Sequence, residues 1–558
     1  MSTVYNGAEL GYNVRGSINV PLTDTLAIRA SGFTREDPGY IDNPVLHIDG
    51  INREQVSGAR LAALWKPDDS VSLKLSAMFQ DTQQDGSSDV NFGPGLGDLQ
   101  QNYPPGVGGY NQQDQAYSAI LTAHFGGFDL TSLTGYNIHE FNDSWDFTPY
   151  FAGLTQTYSP ATAPLGDTPV TVKQAIHKVS QEIRLSGSAG QRFDWLVGTF
   201  FTHEDTTRNE HILAEDQASG AIVGEWADWI APYVYQESAA FADFTYHFTD
   251  RFDVQIGGRE GHMTVTNKPE TDLGLFDTVI DKHTSPLVDP EISASANVFT
   301  YLVTPRFRIS PDVMVYARFA SGYQPGGPNT FGEVGVPQSY SPDTTRNYEL
   351  GVKGDFLDHT LSVDASVYYI QWRDIQISLQ NGVISYTGNG SGAKSEGVEL
   401  SVTSRPLTGL AISSWVSYDD AVLTQDFGPN SPTYGISGDR LPNSSRWSGN
   451  FSVQQNFPVG RATGFVGGTY SYVGDRLGLF QPVPTPPTVA PPQRQYYPSY
   501  SVIDLRAGTQ FESWTVALYG SNLADKRGLI GGGIGAYPFT GFSYIRPRTI
   551  GVNLTKAF

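Results

Sequence analysis

Apolar and polar residues alternate with a period of two along most of this chain. The run VSLKLSAMFQ at 71–80 shows the pattern, and RFDVQIGG at 251–258 and LSVDASVYY at 361–369 repeat it. Since successive side chains of a strand point to opposite faces, each run has one apolar face and one polar face. The runs come in pairs joined by short turns such as PLTD at 21–24, and long loops separate the pairs. This arrangement predicts a transmembrane antiparallel β-barrel with its apolar face toward lipid.

The alternation predicts about 21 strands, many of them longer than the five or six residues usual in a soluble sheet. They cover approximately residues 8–20, 25–34, 54–65, 71–82, 114–125, 128–140, 173–186, 192–206, 235–248, 251–264, 295–309, 312–323, 344–356, 358–374, 394–405, 409–421, 444–457, 461–474, 500–510, 513–523 and 545–558. The long loops are predicted at 83–113, 141–172, 207–234, 265–294 and 475–499. Single-chain bacterial barrels close with an even number of strands. Because the first and last predicted strands run in the same direction, we expect one strand of opposite direction to be missing before residue 1.

The composition agrees with a barrel and excludes several other classes of protein. No apolar run reaches the roughly 18 residues of a transmembrane helix, and the mean hydropathy is -0.29. Aromatic residues make up 12% of the chain, which suits girdles at the membrane interfaces but also a large soluble β core. The absence of cysteine excludes disulfides and thiolate metal sites. The net charge of -22 argues against binding to nucleic acid, which needs clustered Lys and Arg.

Segments spread over almost the whole chain resemble the barrel domain of TonB-dependent receptors, the outer-membrane importers of large scarce nutrients. They are NVPLTDTLAIRASGFTREDPGYIDN (19–43), VSQEIRLSG (179–187) with RFDWLVGTFF (192–201), FADFTYHFTDRFDVQIGGR (241–259), MVYARFASGYQPGGPN (314–329), YELGVKGDFLD (348–358), EGVELSV (396–402), YGSNLADKR (519–527) and RPRTIGVNLTKAF (546–558). The resemblance implies an all-β fold: one domain over 1–558 that forms a transmembrane antiparallel β-barrel, with about 21 strands present of a 22-stranded family barrel. It also implies a location in the bacterial outer membrane.

By this resemblance the chain is the barrel of a receptor and transporter for active uptake. An iron–siderophore complex is the first expectation for the small-molecule or metal-chelate ligand, and a glycan, cobalamin or an aromatic compound are alternatives. Complete family members carry a signal peptide, a coupling box and a plug domain before the barrel, and MSTVYNG at 1–7 resembles none of them. We therefore expect the TonB complex to act only on a full-length form with a plug. A passive porin-like channel, a truncated barrel without function and a soluble carbohydrate-binding β protein remain alternatives.

The last predicted strand alternates apolar residues and ends in an aromatic residue, the pattern by which barrel precursors are recognised in the periplasm. Ile550, Val552, Leu554 and Phe558 fit this pattern. Lys556 departs from it, and its long apolar stem suits snorkelling to an interface. We therefore expect membrane lipid and the barrel-assembly machinery as partners of the chain.

Two groups of residues are candidates for binding. Polar strand residues predicted to face the lumen would contact a plug in a complete receptor, and these are Arg251, Asp253, Gln255, Arg259, Asp364, Asp504 and Arg506. Aromatic residues of the long loops can stack on flat ligands, and the candidates are Trp145, Tyr150, Trp226, Trp229 and Tyr340. The alternative for the aromatic group is that these side chains pack the loops or lie at the lipid boundary.

The remaining sequence motifs do not indicate a metal site or a catalytic site. HEDTTRNEH at 203–211 concentrates His, Glu and Asp, but its spacing matches no standard metal motif, and we expect a solvated loop without a metal site. No glycine-rich phosphate loop leads from a strand into a helix, and no GxSxG elbow or catalytic triad is recognisable. We expect neither a cofactor nor enzymatic activity.

Overall fold

The computed structural model of the protein describes residues 1–148, 166–216, 219–272, 274–275, 287–288, 290–329, 336–381, 384–428, 431, 433–481, 483, 492–534 and 540–558. Regular structure in these residues consists almost entirely of β-strands. None of the described residues belongs to a helix that is long and apolar enough to span a bilayer.

The strands follow one another along the chain with short and long connections in turn. In the first half they are β1 Ser2–Val4, β2 Tyr12–Pro21, β3 Leu26–Asp37, β4 Glu54–Trp65, β5 Val71–Gln84, β6 Asp89–Asn91, β7 Tyr110–Phe125, β8 Phe128–Asp146, β9 Pro169–Ala189, β10 Phe193–Glu215, β11 Ile222–His247, β12 Phe252–Asn267, β13 Glu270–Asp272, β14 Leu287–Val288, β15 Ile292–Ser310 and β16 Val313–Gln324. In the second half they are β17 Gly327–Pro328, β18 Ser339–Tyr340, β19 Asp343–Phe356, β20 Leu361–Arg373, β21 Gln376–Asn381, β22 Ile384–Asn389, β23 Ala393–Ser404, β24 Leu410–Leu423, β25 Trp447–Val459, β26 Ala462–Val473, β27 Arg476–Leu477, β28 Tyr496–Tyr497, β29 Tyr500–Phe511, β30 Trp514–Ser521, β31 Leu529–Gly532, β32 Gly541–Tyr544 and β33 Thr549–Lys556.

One antiparallel sheet of 24 strands forms the wall of a barrel. Two of its strands form a side branch, in which β13 pairs with residues 228–230 of β11 and β14 pairs with β13, and the other 22 make up the wall itself. Neighbours in the wall are neighbours in the chain, and β1 pairs with β33 to bring the two ends together. The fold class predicted from the sequence is confirmed, because every one of the predicted strands is present in the wall.

The wall has an apolar outer face. Leu75, Ile256 and Val367 lie on predicted apolar faces and are 48%, 52% and 48% exposed. An exposed fraction of this size is expected where a side chain faces lipid outside a closed cylinder. Within the described residues, two clusters of buried apolar side chains, which include Leu99 and Leu423, lie at one end of the barrel, at strand ends and in the long connections. We call this end the loop end, and the opposite end, where the connections are short, the turn end.

Aromatic side chains are concentrated on the outer surface at the turn end. Phe125 stacks on Phe128 with ring centroids 5.1 Å apart, across the turn between β7 and β8. The ammonium group of Lys556 lies 4.7 Å from the ring centroid of Trp514, so this residue of the last strand has an aromatic neighbour at the rim. Such aromatic positions are typical of the interface between lipid and water.

The barrel is nearly closed, with a seam between β2 and β33. The short strand β1 pairs with β33 only from Thr549 to Gly551, and it reaches β2 through a single bridge from Ser2 to Gly11. Toward the turn end, β2 pairs with β3 and β33 pairs with β30, and no other described strand lies between them. The sequence led us to expect the first strand to be missing before residue 1. Instead, three residues of a strand in that position and direction are present in β1.

One predicted loop is wrong. Residues 207–234 were expected to form a long loop, but most of them extend β10 and β11, which have 23 and 26 residues and are the longest described strands. The pairing of β10 with β9 continues as far as Ile212, so neighbouring strands satisfy the backbone of this segment. Beyond the lipid both faces of a strand contact water, and the apolar–polar alternation that identifies strands in the sequence is lost there.

Candidate ligand-binding site

A cavity of about 420 Å³ opens at the loop end of the barrel, against the extended parts of β10 and β11. It is lined by Gln174, Thr206, Arg208, Glu210, Trp229, Ala231 and Tyr233. The strand register explains this grouping, since Thr206 is opposite Tyr233 and Glu210 is opposite Trp229. The exposed outward residue Phe201 belongs to the alternate set of β10. The cavity residues therefore lie on the inner face of the wall.

Arg208 is the positive group of the cavity and is held in place by two neighbours. Its Nε atom donates a hydrogen bond of 2.8 Å to Glu210 Oε1. Its guanidinium group lies 5.9 Å from the ring centroid of Trp145, within the range of a cation–π contact. The Trp145 indole in turn donates to the carboxylate of Asp143. Burial raises the pKa of the Asp143 carboxyl, because it disfavours the charged form.

Tyr340 approaches the cavity from another loop. It lies in β18, which forms a two-stranded ribbon with β17 above the wall. The pKa of its phenol is raised, first by burial and second by the neighbouring phenol of Tyr233. The cavity lining thus combines two aromatic residues of β11 with one guanidinium group, and Trp145 of β8 and Tyr340 of β18 lie next to lining residues.

An acidic rim lies where β8, β9 and β10 end. Burial raises the pKa of the Glu215 carboxyl, and the nearby Asp167 and Asp146 raise it further. The pKa of Asp167 is raised for the same two reasons, burial and the charge of Asp146. Glu215 is only 7% exposed, so its carboxylate is poorly solvated. In this rim burial and the nearby negative charges both disfavour the charged forms of Glu215 and Asp167.

Below the cavity, Glu237 organises a polar cluster on the inner face. Its carboxylate accepts hydrogen bonds from Tyr235 at 2.9 Å, from Arg259 at 2.6 Å and from Tyr323 at 3.1 Å. The Arg259 guanidinium also lies 5.1 Å from the ring centroid of Phe200. The sequence singled out Arg259 as a lumen residue but missed Glu237, because two of its three partners, Arg259 and Tyr323, are on other strands and only the fold brings them together.

Asp253, another predicted lumen residue, is fully buried near the turn end. Its carboxylate accepts hydrogen bonds from Arg306 and, at 2.7 Å, from Arg308, both on β15. Arg251 is different, because β12 begins only at Phe252 and Arg251 lies exposed in the preceding turn. That Arg251 faces the lumen stays a prediction.

The other predicted lumen residues also have partners in the wall. The pairs are Gln255 with Asp243, Asp364 with Lys353, Asp504 with the backbone N–H of Asn522, and Arg506 with Gln454. The first two contacts join neighbouring strands, Asn522 follows the neighbouring strand β30, and Arg506 of β29 reaches across β26 to Gln454 of β25. A role of the same residues in holding a plug stays a prediction.

The aromatic candidates divide into three groups. Trp145 and Trp229 lie at the cavity, and Tyr340 lies close to it. Trp226 is 1% exposed at an irregularity in the pairing of β10 and β11, so its side chain is buried, and its contact with a ligand stays a prediction. Tyr150 lies outside the described residues. Sequence reasoning did not single out Arg208 or Gln174, whose residue types carry no signal without the strand register.

The last strand presents its predicted apolar set on the outer face. Ile550, Val552 and Leu554 are 44%, 50% and 62% exposed. Phe558 lies beyond the end of β33, with its ring 4.8 Å from the ammonium group of Lys556. Recognition of these residues by the assembly machinery stays a prediction.

Comparison with known protein families identifies the barrel. The family described as "TonB dependent receptor-like, beta-barrel" matches residues 63–523. The pesticin receptor of Yersinia pestis is 26% identical over 397 residues, which cover 69% of this chain and 52% of that protein. The metal-pseudopaline receptor CntO of Pseudomonas aeruginosa is 25% identical over 230 residues, or 40% of this chain and 30% of that protein. The chain thus spans about half or less of the length of these curated relatives.

Solved structures share the same fold. The ferric yersiniabactin uptake receptor FyuA from Yersinia pestis matches 99% of this chain and 78% of its own, with a TM-score of 0.79 and 18% identity. The ferric-catecholate import receptor Fiu from E. coli K12 matches 99% of this chain and 80% of its own, with a TM-score of 0.75 and 14% identity. The chain therefore belongs to the TonB-dependent receptor β-barrel family and is a protein of the bacterial outer membrane.

Proposed function

We propose that this chain is the barrel of a receptor that binds an iron–siderophore complex at the loop-end cavity and takes it up with energy from the TonB complex. The loop end is then the extracellular end. TonB would act on a form that also carries a plug and a coupling box. The observation that carries the proposal is the inner face of β10 and β11, where aromatic rings and one guanidinium group surround a cavity of about 420 Å³.

The lining of the cavity suits a particular kind of chelate. Trp229 and Tyr233 offer ring surfaces to flat organic groups. Arg208 attracts negative charge, but Glu210 beside it offsets much of that attraction. We therefore favour a near-neutral or weakly anionic chelate with aromatic rings over a highly charged one. Glycans, cobalamin and aromatic compounds without iron also stack on such rings and remain alternative ligands.

The relatives support an iron chelate as the first candidate. FyuA is a ferric yersiniabactin uptake receptor and Fiu is a ferric-catecholate import receptor. Both share the barrel fold, and their low sequence identity leaves the ligand of this chain to be decided by the cavity itself. The loops at 149–165, 276–286 and 330–335, which follow β8, β13 and β17, lie outside the described residues.

Ligand titration of the purified chain in detergent tests the proposal. The panel contains ferric complexes of phenolate, catecholate and hydroxamate chelators, together with cobalamin and a neutral oligosaccharide. Quenching of tryptophan fluorescence should saturate with a ferric chelate that bears aromatic rings. Trp229→Ala should weaken this binding by about tenfold, the effect of losing one stacked ring worth about 1.4 kcal/mol.

Trp447→Ala is the matched control, because Trp447 lies on the outer face, 53% exposed, and packs on Tyr418. This variant should bind like the parent. If Trp447→Ala weakens binding as much as Trp229→Ala does, or if the oligosaccharide binds more tightly than every ferric chelate, the proposed ligand class is wrong.

A passive channel is the second candidate function. Two charged residues of the inner face, Asp253 and Asp364, form ion pairs within the wall and do not need a partner from a further domain. Recording from planar bilayers separates the two functions. Steady conductance of the chain without an energy source favours the channel, whereas a closed or unstable conductance together with saturable chelate binding favours the receptor.

A further inference from the structure

Three potential metal ligands converge near the tip of the β10–β11 hairpin, on the face opposite the cavity. The Nδ1 atom of His211 lies 3.2 Å from Asp228 Oδ1 and 3.7 Å from Glu225 Oε1. One ligand atom from each residue lies within 4.8 Å of the other two. The group is on the outer side of the wall, about 30 Å along the strand beyond the exposed Phe201. It therefore lies outside the lipid, in contact with the external medium.

An irregularity in strand pairing brings the three side chains to one face. His211 is directly opposite Asp228, and Leu213 is opposite Glu225, so Trp226 is an extra residue in β11. In a regular strand, residues 225 and 228 would point to opposite faces, because their spacing is odd. A β-bulge removes this alternation, and bulges are often found where a side chain must be directed to a functional site. The buried Trp226 anchors the bulge.

The geometry of His211 and Asp228 is that of two ligands rather than of a hydrogen-bonded pair. Asp228 Oδ1 is shielded from solvent and has no hydrogen-bond partner, although His211 Nδ1 is only 3.2 Å away. Two ligand atoms that each lie about 2.1 Å from an ion at a tetrahedral angle are about 3.4 Å apart. The observed separation matches this value.

The surrounding charge favours a cation. In the part of the chain that the structure describes, neither Glu225 nor Asp228 forms an ion pair with lysine or arginine. On its other side Asp228 is directly opposite Asp272 of β13. Two like charges in opposite positions of a sheet destabilise it. A bound cation would offset this repulsion and link β10 to β11.

We propose that His211, Glu225 and Asp228 form a binding site for a divalent transition-metal ion, which cross-links the tip of the hairpin. A neutral imidazole and two carboxylates suit Zn²⁺, and the three ligands leave at least one position for water. The site is separate from the loop-end cavity and does not depend on the proposed ligand. The sequence did not indicate it, because only His211 belongs to the 203–211 segment and its partners follow on the next strand.

Zinc titration of the purified chain tests this site. The protein, without an affinity tag and after treatment with a chelator, is titrated with Zn²⁺ by calorimetry in detergent. We expect one ion per chain at this site, and we expect His211→Ala and Glu225→Gln each to weaken its binding at least tenfold. Protein loaded with Co²⁺ should show visible absorption bands that disappear in His211→Ala.

His203→Ala is the matched control. His203 is on the same face of β10, but its ring nitrogens already contact Asp205 and Gln236, each at 2.9 Å. This variant should bind Zn²⁺ like the parent. The proposal is overturned if His211→Ala leaves the titration unchanged or if His203→Ala weakens it equally. If His211→Ala fails to give the folded band on an unheated gel, Glu225→Gln decides, since its side chain is 48% exposed and its loss does not endanger the fold.

Discussion

At the scale of single residues, the inner wall depends on carboxylates that collect donors from several strands. Glu237 is 8% exposed and receives hydrogen bonds from Tyr235, Arg259 and Tyr323 on three different strands. A hydrogen bond to a charged group contributes more than a neutral one, and a buried charge left without its partner is costly. The cluster therefore contributes to stability as a unit.

The substitution Glu237→Gln tests how much the cluster around Glu237 contributes to stability. The variant keeps the size of the side chain but removes the charge that faces Arg259, which then has no counter-charge in the cluster. We expect a loss of about 2–3 kcal/mol in the free energy of unfolding, measured by urea denaturation in detergent. Asp364→Asn is the control, because its pair with Lys353 is about half exposed. That change should cost less than about 1 kcal/mol. Equal losses of unfolding free energy in Glu237→Gln and Asp364→Asn would show that burial of the charged groups is unimportant.

The acidic rim should make the stability of the protein depend on pH. Because the pKa of Glu215 is raised in the folded protein, the folded state binds more protons than the unfolded state, and stability falls as the pH rises above the ordinary range of carboxyl groups. Glu215→Gln removes this loss. The variant should match the parent near pH 4 and unfold at a higher temperature near pH 7, with a gain of about 1 kcal/mol.

Glu291→Gln provides the comparison for the acidic rim, since Glu291 is an exposed residue just before β15. Its unfolding temperature should follow the parent at both pH values. A Glu215→Gln variant that gains as much near pH 4 as near pH 7 would contradict the role assigned to ionisation.

At the scale of elements, the sequence predicts strands well inside the membrane and poorly outside it. Alternation between lipid and water identifies segments such as β5 and β20, where one face must be apolar. The upper parts of β10 and β11 contact water on both faces, so their polar residues resemble a loop. The bulge at Trp226 is equally hidden, because it depends on a pairing between strands. The family resemblance predicts the barrel. The residues that line the cavity can be identified only once the pairing register of the strands is known.

Two turns at the turn end each contain a glycine, and substituting the two glycines in turn tests how the space around a turn affects stability. Gly409 and Gly190 both have positive φ, at 80° and 68°. A side chain added at Gly409 would collide with the backbone oxygen of Asn456, whereas the space around Gly190 is open. Gly190→Ala should cost about 1–2 kcal/mol from the backbone conformation alone. Gly409→Ala should cost clearly more, and equal unfolding midpoints in urea would rule out the collision.

At the scale of the whole molecule, the wall is a cylinder whose hydrogen bonding between strands is interrupted at the seam between β2 and β33. Everywhere else each strand has two hydrogen-bonded neighbours, while β2 and β33 face each other across the seam below the bridge at Gly11. Unpaired backbone groups are costly in an apolar medium, and an open edge invites pairing with another strand. The sequence signalled this feature through the odd number of predicted strands.

Hydrogen exchange of the purified chain in detergent tests whether the backbone amides at the seam lack hydrogen-bond partners. Within residues 14–20 of β2, alternate amide groups point toward β3 and toward the seam. The amides that point toward β3 form hydrogen bonds and should be protected like those of β4, whereas those that point toward the seam should exchange at least about 100-fold faster. Equal protection of both sets would mean that the edge is covered, either by direct closure onto β33 or by a second copy of the chain. A concentration series separates these two cases, because only pairing between copies weakens on dilution.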